Sequence, residues 1–197
     1  MDRTQARLDT GTFAPVGGEE KSFTYYSYYT VKNDVVATKI FTAQLGDVGY
    51  TRLDQTNMPA PGQIPNSQKF SFNGISIRYI PKATKATADA LLILSWLATT
   101  AFEFWITDKT VMYQATLAQL MGISLPLIQT TGAANIVLNS ILSQAQPIHM
   151  LNKEITISAN NRFWVNIQPG VASGAQQQTD VDILQVGLHG VLTSRIG

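Results

Sequence analysis

The chain has 197 residues, enough for one well-packed domain or at most two small ones. Hydrophobic residues make up an ordinary 45%, but charged residues reach only 14%, against the roughly 25% usual for soluble domains. Fourteen Lys and Arg against 13 Asp and Glu leave a net charge of +1 with no basic tail, so direct packaging of nucleic acid, which relies on phosphate neutralisation, is not expected.

Sparse charge favours surfaces that end up against other protein, although one large buried core would also account for it. The absence of cysteine excludes disulfides, thiolate metal sites and a cysteine nucleophile, and leaves the redox compartment open. No basic segment followed by an apolar run opens the chain, so no Sec-type signal is expected. The most apolar stretch, residues 86–106, carries Asp89 and Glu103 and is broken by Ser95, Thr99 and Thr100, which argues against a spanning helix.

Residues 1–21 are polar and rich in Thr and Gly, and with Ser22 they read as an N-terminal arm, residues 1–22, ahead of a single domain at 23–197. Residues 23–36 hold Tyr25, Tyr26, Tyr28 and Tyr29, aromatic residues that suit a strand. Tyrosines on both alternate faces imply that the strand is covered on both sides or lies across another subunit, or that it is a central strand of the domain's own sheet. Residues 35–45 are a second strand candidate, ended by Gly46-Asp47. The segment 54–65, with Pro59, Pro61 and Pro65, reads as an irregular crossing loop, since proline removes backbone donors.

Residues 70–80 give the clearest strand. Phe70 and Phe72 alternate with polar residues, and Ile75, Ile77 and Tyr79 continue one residue out of frame, which a bulge at Asn73-Gly74 would repair. From Thr87 to Ala98 the apolar period changes to that of a helix. Residues 101–113 read as a hairpin turning at Thr107-Asp108-Lys109, and 116–121 as a short helix with Gly122 just past its end. Residues 136–142 are ambiguous. Alternating Ile155 and Ile157, an Asn160-Asn161 turn, then Phe163, Val165 and Ile167 suggest a second hairpin. After a polar loop at 168–179, residues 181–192 form a last long strand, where Gly187 and Gly190 mark bends or close backbone approach. About eight strands, two helical insertions and long polar loops point to an all-β fold with minor helical insertions, a sandwich or barrel of the jelly-roll kind.

Little in the chain suggests chemistry. His149 and His189 lack partners at metal-site spacing and read as hydrogen-bonded or surface histidines. Glu103, between Phe102 and Phe104, should face away from them, and Asp89 sits in the first turn of the expected helix, where the dipole favours it. Asp180 and Asp182, two apart, would share one face of the last strand as a calcium site or as solvated acids. No nucleophile-elbow, phosphate-loop, dinucleotide-loop or zinc-helix motif occurs, so the chain is not expected to be an enzyme, and no catalytic, cofactor or metal residue is assigned. Trp96, Trp105 and Trp164 are candidate sugar-stacking residues; Trp105 and Trp164 are out of phase with their apolar neighbours and should point to the opposite face. Their partner would be a sugar, another subunit, or a second layer of the same domain.

Three stretches carry a family resemblance: Asp54-Gln55-Thr56-Asn57-Met58 through Gly62-Gln63-Ile64-Pro65 into the strand at 70–80, Asn161-Arg162-Phe163-Trp164-Val165, and Val186-Gly187-Leu188-His189-Gly190-Val191-Leu192 with Arg195-Ile196. Together they resemble jelly-roll major capsid proteins of tailless icosahedral bacteriophages, in which a D-T-N-M…G-Q-L-P loop precedes a strand and a V-x-L-x-G-x-L-x-R strand ends the chain. Here Gln55 interrupts the Asp-Thr pair, and the tyrosine segment has no counterpart. The resemblance covers the middle and the C-terminal third. It implies a structural protein of the virion, self-assembling with its own copies into an icosahedral shell in the host cytoplasm. Minor capsid or vertex proteins and an internal membrane would be its other partners, the membrane fitting the missing basic tail. It brings no active site and no cofactor. The alternative is a receptor- or glycan-binding jelly-roll spike; a β-sandwich enzyme relying on His149 or a carboxylate ranks last.

Overall fold

A computed structural model describes residues 18–31, 35–53, 55–80, 87–107, 111–122, 148–159, 161–171 and 182–195. Eight strands are present among them: β1 (Gly18–Thr30), β2 (Thr38–Ile40), β3 (Gln68–Ile80), β4 (Ala101–Ile106), β5 (Val111–Thr116), β6 (His149–Ser158), β7 (Phe163–Gln168) and β8 (Ile183–Arg195). Helix α1 (Thr87–Thr99) lies between β3 and β4, and α2 (Leu117–Leu120) follows β5. The protein is mainly β, with two antiparallel sheets of four strands: sheet A in the order β1-β8-β3-β6 and sheet B in the order β2-β7-β4-β5.

The pairing is nested. The first strand pairs with the last, β2 with β7, β3 with β6 and β4 with β5, so the chain is one long antiparallel ribbon of four strand pairs. Successive pairs fall alternately in sheet A and sheet B, and the pairings β3 with β8 and β4 with β7 weld them together. Period-two alternation then sends one side of every strand into a shared core. Phe70 and Phe72 from sheet A meet Phe104 and Phe163 from sheet B; the Phe72 and Phe104 rings cross the gap edge-to-face at 5.0 Å. Each such ring contributes about 1.5–3 kcal/mol on burial.

Local details follow the sequence closely in β3. Its register shifts between Phe72 and Gly74, leaving Asn73 as the extra residue. Phe70, Phe72, Ile75, Ile77 and Tyr79 therefore all point inward despite the frame change, as expected of a bulge. Helix α1 extends one residue past the expected end, buries Ile93, Leu94, Trp96 and Leu97, and stacks Trp96 on Tyr29 at 6.2 Å. Helix α2 begins with a capping box between Thr116 and Gln119, and Gly122 beyond it takes φ of 63°. The apolar stretch around Ala101 divides into α1 and β4, and no helix among the described residues is long and apolar enough to cross a membrane.

Four expectations are corrected. The strands β6 and β7 do not form a hairpin: β6 pairs with β3 in sheet A and β7 with β2 and β4 in sheet B. Both strands alternate correctly, but alternation fixes which face is buried and not which sheet a strand joins. Strand β2 is only three residues long, because buried Phe41 adopts φ of 67° and turns its ring onto Phe163 at 5.6 Å, while Val35 and Val36 stay exposed. Strand β1 starts at Gly18, inside the segment read as arm, since Glu19, Glu20 and Lys21 extend the ladder with Ser194, Thr193 and Leu192. Residues 1–17, the ambiguous segment 136–142 and most of the polar loop at 168–179 lie outside the described residues.

The fourth concerns the tyrosine strand. Strand β1 is an edge strand of sheet A rather than a central one, and this chain itself packs both faces of its tyrosine stretch. Tyr25 and Tyr29 point into the core. On the other face, the Tyr28 hydroxyl donates to the Gly49 carbonyl at 2.7 Å, the Tyr26 hydroxyl donates to the Leu53 carbonyl, and Tyr50 packs on Tyr28 at 4.9 Å. The crossing loop then closes the open edge. The Asn57 side chain accepts from Tyr26 N at 2.9 Å and donates to the Thr24 carbonyl at 2.7 Å, while the Thr56 hydroxyl donates to the Tyr26 carbonyl at 3.1 Å. Met58 anchors the loop in the core. An exposed edge is a template for unwanted pairing, and these side chains occupy its donors and acceptors.

Candidate functional site

Two outer faces of the sandwich gather the residues singled out for function. On sheet B, the inward positions Phe102, Phe104, Ile106, Phe163, Val165 and Ile167 force Glu103, Trp105, Trp164 and Asn166 outward, as the sequence phase required. Trp105 and Trp164 are directly paired across β4 and β7 and stack at 6.0 Å with an interplanar angle of 8°. The Lys39 ammonium, from β2 on the far side of β7, lies 4.8 Å over the Trp164 ring. Glu103 is the hub of the adjoining polar row. It accepts from Trp105 Nε1 at 3.1 Å, Gln114 Nε2 at 3.2 Å and Asn166 Nδ2 at 3.1 Å. Those neighbours follow from register, because Lys39, Asn166, Glu103 and Gln114 are successive cross-strand partners over β2, β7, β4 and β5.

On sheet A, His189 lies on the outer face of β8 between Thr24 of β1 and Ser76 of β3. Its Nδ1 is 2.9 Å from the Thr24 hydroxyl and its Nε2 is 2.7 Å from the Ser76 hydroxyl. Gly187 makes the room: a Cβ there would stand 2.5 Å from Ser76 Oγ and 3.1 Å from the imidazole. Gly190 is a closer approach still, since a Cβ would lie 2.0 Å from the Ser71 carbonyl oxygen. Burial lowers the His189 pKa from its usual value by disfavouring the charged ring. Ser76, His189 and Thr24 have the connectivity of a nucleophile, a base and an orienting group. All three sit within strands on the outer face of sheet A, held in place by the pairing of β1 and β3 with β8. The cluster is a cross-strand hydrogen-bond chain. Beside it opens a recess of about 550 Å³ reaching Met150, Ile148 and Val191.

The other candidates do not converge. His149, on edge strand β6, is 3.1 Å from the Tyr113 hydroxyl of edge strand β5, so it joins the two sheets at these edges. Asp89 lies in the first turn of α1. Asp182 is not a solvated or calcium-binding acid on a strand face: it precedes β8, is 1% exposed, and accepts from the Tyr79 hydroxyl at 2.5 Å. Desolvation first, and then that hydrogen bond and the Asp182 charge, raise the Tyr79 pKa far above its usual value. Its expected partner Asp180 lies outside the described residues. Among the described residues no group of three or more His, Asp or Glu side chains could hold a metal ion. Trp96, read as a stacking candidate, is fully buried and is a core residue.

Sequence reading missed Thr24, Ser76, Lys39, Gln114 and Asn166. Ser76 and Thr24 lie 113 and 165 residues from His189 in sequence, and only strand register brings them together. No protein-family model matches the chain, and no curated protein matches it in sequence.

Proposed function

We propose that the chain is a jelly-roll subunit that self-assembles into an icosahedral viral shell. The observation that carries this reading is the nested strand order, β1-β8-β3-β6 facing β2-β7-β4-β5. A ribbon of four antiparallel pairs whose successive pairs alternate between two sheets supports a jelly-roll reading, a fold used by viral shells and also by lectins and cupins. Fold alone does not choose among these. The shell is favoured by a charged fraction of 14%, by exposed Ile148, Met150 and Val191 on one outer face and an indole pair on the other, and by the capsid-like motifs. In this reading the Thr56-Asn57-Met58 motif seals the β1 edge so that subunits meet through chosen faces instead of open strands. Other copies of the chain are the principal partners, with minor capsid or vertex proteins and an internal membrane as further ones, and the location is the virion.

Light scattering with negative-stain microscopy of the purified full chain tests the proposal. Closed particles, or pentameric and hexameric rings, are the expected result; a stable monomer at all concentrations overturns it. Removal of residues 1–17, which stops short of the paired part of β1, should leave the melting temperature unchanged and impair assembly.

The stacked indoles favour a second reading, a glycan-binding spike. Against it, Trp164 is sandwiched between Lys39 and Trp105, so that ring offers no open face to a sugar. Quenching of Trp105 fluorescence by oligosaccharides, with no large assemblies in solution, would select the spike.

A further inference from the structure

The bulge in β3 sets a reactive pair of residues on the outer face of sheet A. Asn73 is the extra residue, skipped by the pairing registers of both β6 and β8. A residue left over in this way lies outside the regular ladder. Asn73 is exposed and lines the recess of about 550 Å³ that His189 also lines. Among the described residues, no hydrogen bond holds its carboxamide. The residue that follows has to be glycine, because a Cβ at Gly74 would come within 2.8 Å of the Ile148 side chain and 3.2 Å of His189 Cβ. Packing of β3 between β6 and β8 thus places after Asn73 the one residue type with no side chain to shield its backbone nitrogen. Asn73-Gly74 is the single Asn-Gly pair of the chain.

We propose that Asn73 is a site of spontaneous deamidation, whose product puts a carboxylate into the recess that His189 lines. The Gly74 backbone nitrogen attacks Asn73 Cγ and gives up its proton. The new N–Cγ bond forms as the Cγ–Nδ2 bond breaks, and Nδ2 leaves with that proton as ammonia. Water then opens the cyclic imide. Opening at one carbonyl gives aspartate, and opening at the other gives isoaspartate, which carries the main chain through the side-chain carbons. One water enters, one ammonia leaves, and nothing is oxidised or reduced. The consequence is electrostatic. Among the described residues that line the recess, none is a carboxylate or an amine, and His189 is the titratable one. Its ring nitrogens meet two neutral hydroxyls, Thr24 from β1 and Ser76 from β3. A carboxylate at position 73 adds an anion to this lining, and opposite charge favours the imidazolium. The inference uses the bulge and the recess alone and stands apart from the shell reading.

The full chain, kept folded in mildly alkaline buffer and followed by peptide mass spectrometry against a starting sample, tests this. The comparison sites are internal. The Asn57 and Asn166 carboxamides are held by hydrogen bonds, and Met58 and Ile167 follow them. Asn73 is expected to convert at least about tenfold faster than either, because its carboxamide is left to turn into a near-attack geometry. Asn73→Gln, at an exposed position, should lose the conversion, since its ring closure is less favourable. Asn73→Asp fixes the product charge. With its fold checked by circular dichroism, NMR titration of this variant should place the His189 pKa above that in the unaltered chain. Conversion at Asn73 no faster than at Asn57 and Asn166 overturns the site. An unmoved His189 titration in folded Asn73→Asp overturns the charge's effect on the recess.

Discussion

The sandwich has two sides, and they are closed in opposite ways. At one, edge strand β1 is sealed by a crossing loop that fills its hydrogen bonds with Thr56 and Asn57 and plants Met58 and Ile64 in the core. At the other, edge strands β5 and β6 are joined by the Tyr113–His149 hydrogen bond, with Met112 and Met150 exposed on either side of it. Among the described residues, the first side is built from many cooperating contacts and the second from few. The sealed side fixes the register of β1 by contacts that reach into the core.

Substitutions graded along this contrast should break it in proportion. The largest effect belongs to Gly62 in the crossing loop. Its φ is 59°, and a Cβ would lie 2.5 Å from the Phe163 carbonyl oxygen, while its own carbonyl accepts from Phe163 N at 2.8 Å. Gly62→Val should therefore detach the loop from β7 and cost about 3 kcal/mol or more, read by urea unfolding. Met58→Ala leaves a core cavity and should cost about 2–5 kcal/mol. An unchanged unfolding midpoint in both would show that the loop does not seal the edge.

Asn57→Ala comes next. It removes an acceptor from Tyr26 N and a donor to the Thr24 carbonyl, and leaves both backbone groups at a bare edge, for about 1–3 kcal/mol. Its more telling consequence is irregular aggregation, since the uncovered edge can pair with another chain; thioflavin binding that remains at the level of the unaltered protein would refute the protective role. On the lightly closed side, Tyr113→Phe removes one part-buried hydrogen bond and should cost only about 0.5–1.5 kcal/mol. Equal losses from Asn57→Ala and Tyr113→Phe would erase the contrast.

How much of this was legible in the sequence depends on the range of the interaction. The bulge at Asn73-Gly74, the span of α1, the Thr116 cap and the outward turn of Trp105, Trp164 and Glu103 are set within a few residues, where periodicity and turn chemistry operate. The separation of β6 from β7 into different sheets was not legible, because a short polar connection serves a sheet-to-sheet crossing as well as a hairpin. Nor was the start of β1, because the polar Glu19, Glu20 and Lys21 pair with residues of β8 more than 170 positions away in sequence. The Ser76–His189–Thr24 chain, and the sandwiching of Trp164 by Lys39 and Trp105, exist only once three strands are in register. Local grammar thus supplied elements and faces; which strands become neighbours was decided by the nesting of pairs.

The smallest expected effect is the dependence of stability on pH through His189, which sits on sheet A between the sealed β1 edge and the recess. Burial lowers its folded-state pKa, and both ring nitrogens meet hydroxyl groups, so no anionic partner among these contacts offsets the cost of protonation. As pH falls through the unfolded value of about 6.5, the unfolded chain takes up the proton first. The stability contributed by neutral His189 is therefore complete above that pH and is lost as pH drops toward the lower folded value. Partial exposure keeps the effect modest. Chemical unfolding between pH 7.5 and about pH 5 should show this slope, and His189→Gln, which retains hydrogen bonding without titrating, should flatten it. A slope that survives in His189→Gln would assign the acid sensitivity elsewhere, and would leave the Thr24–His189–Ser76 chain as a tie between strands that works equally well at any pH.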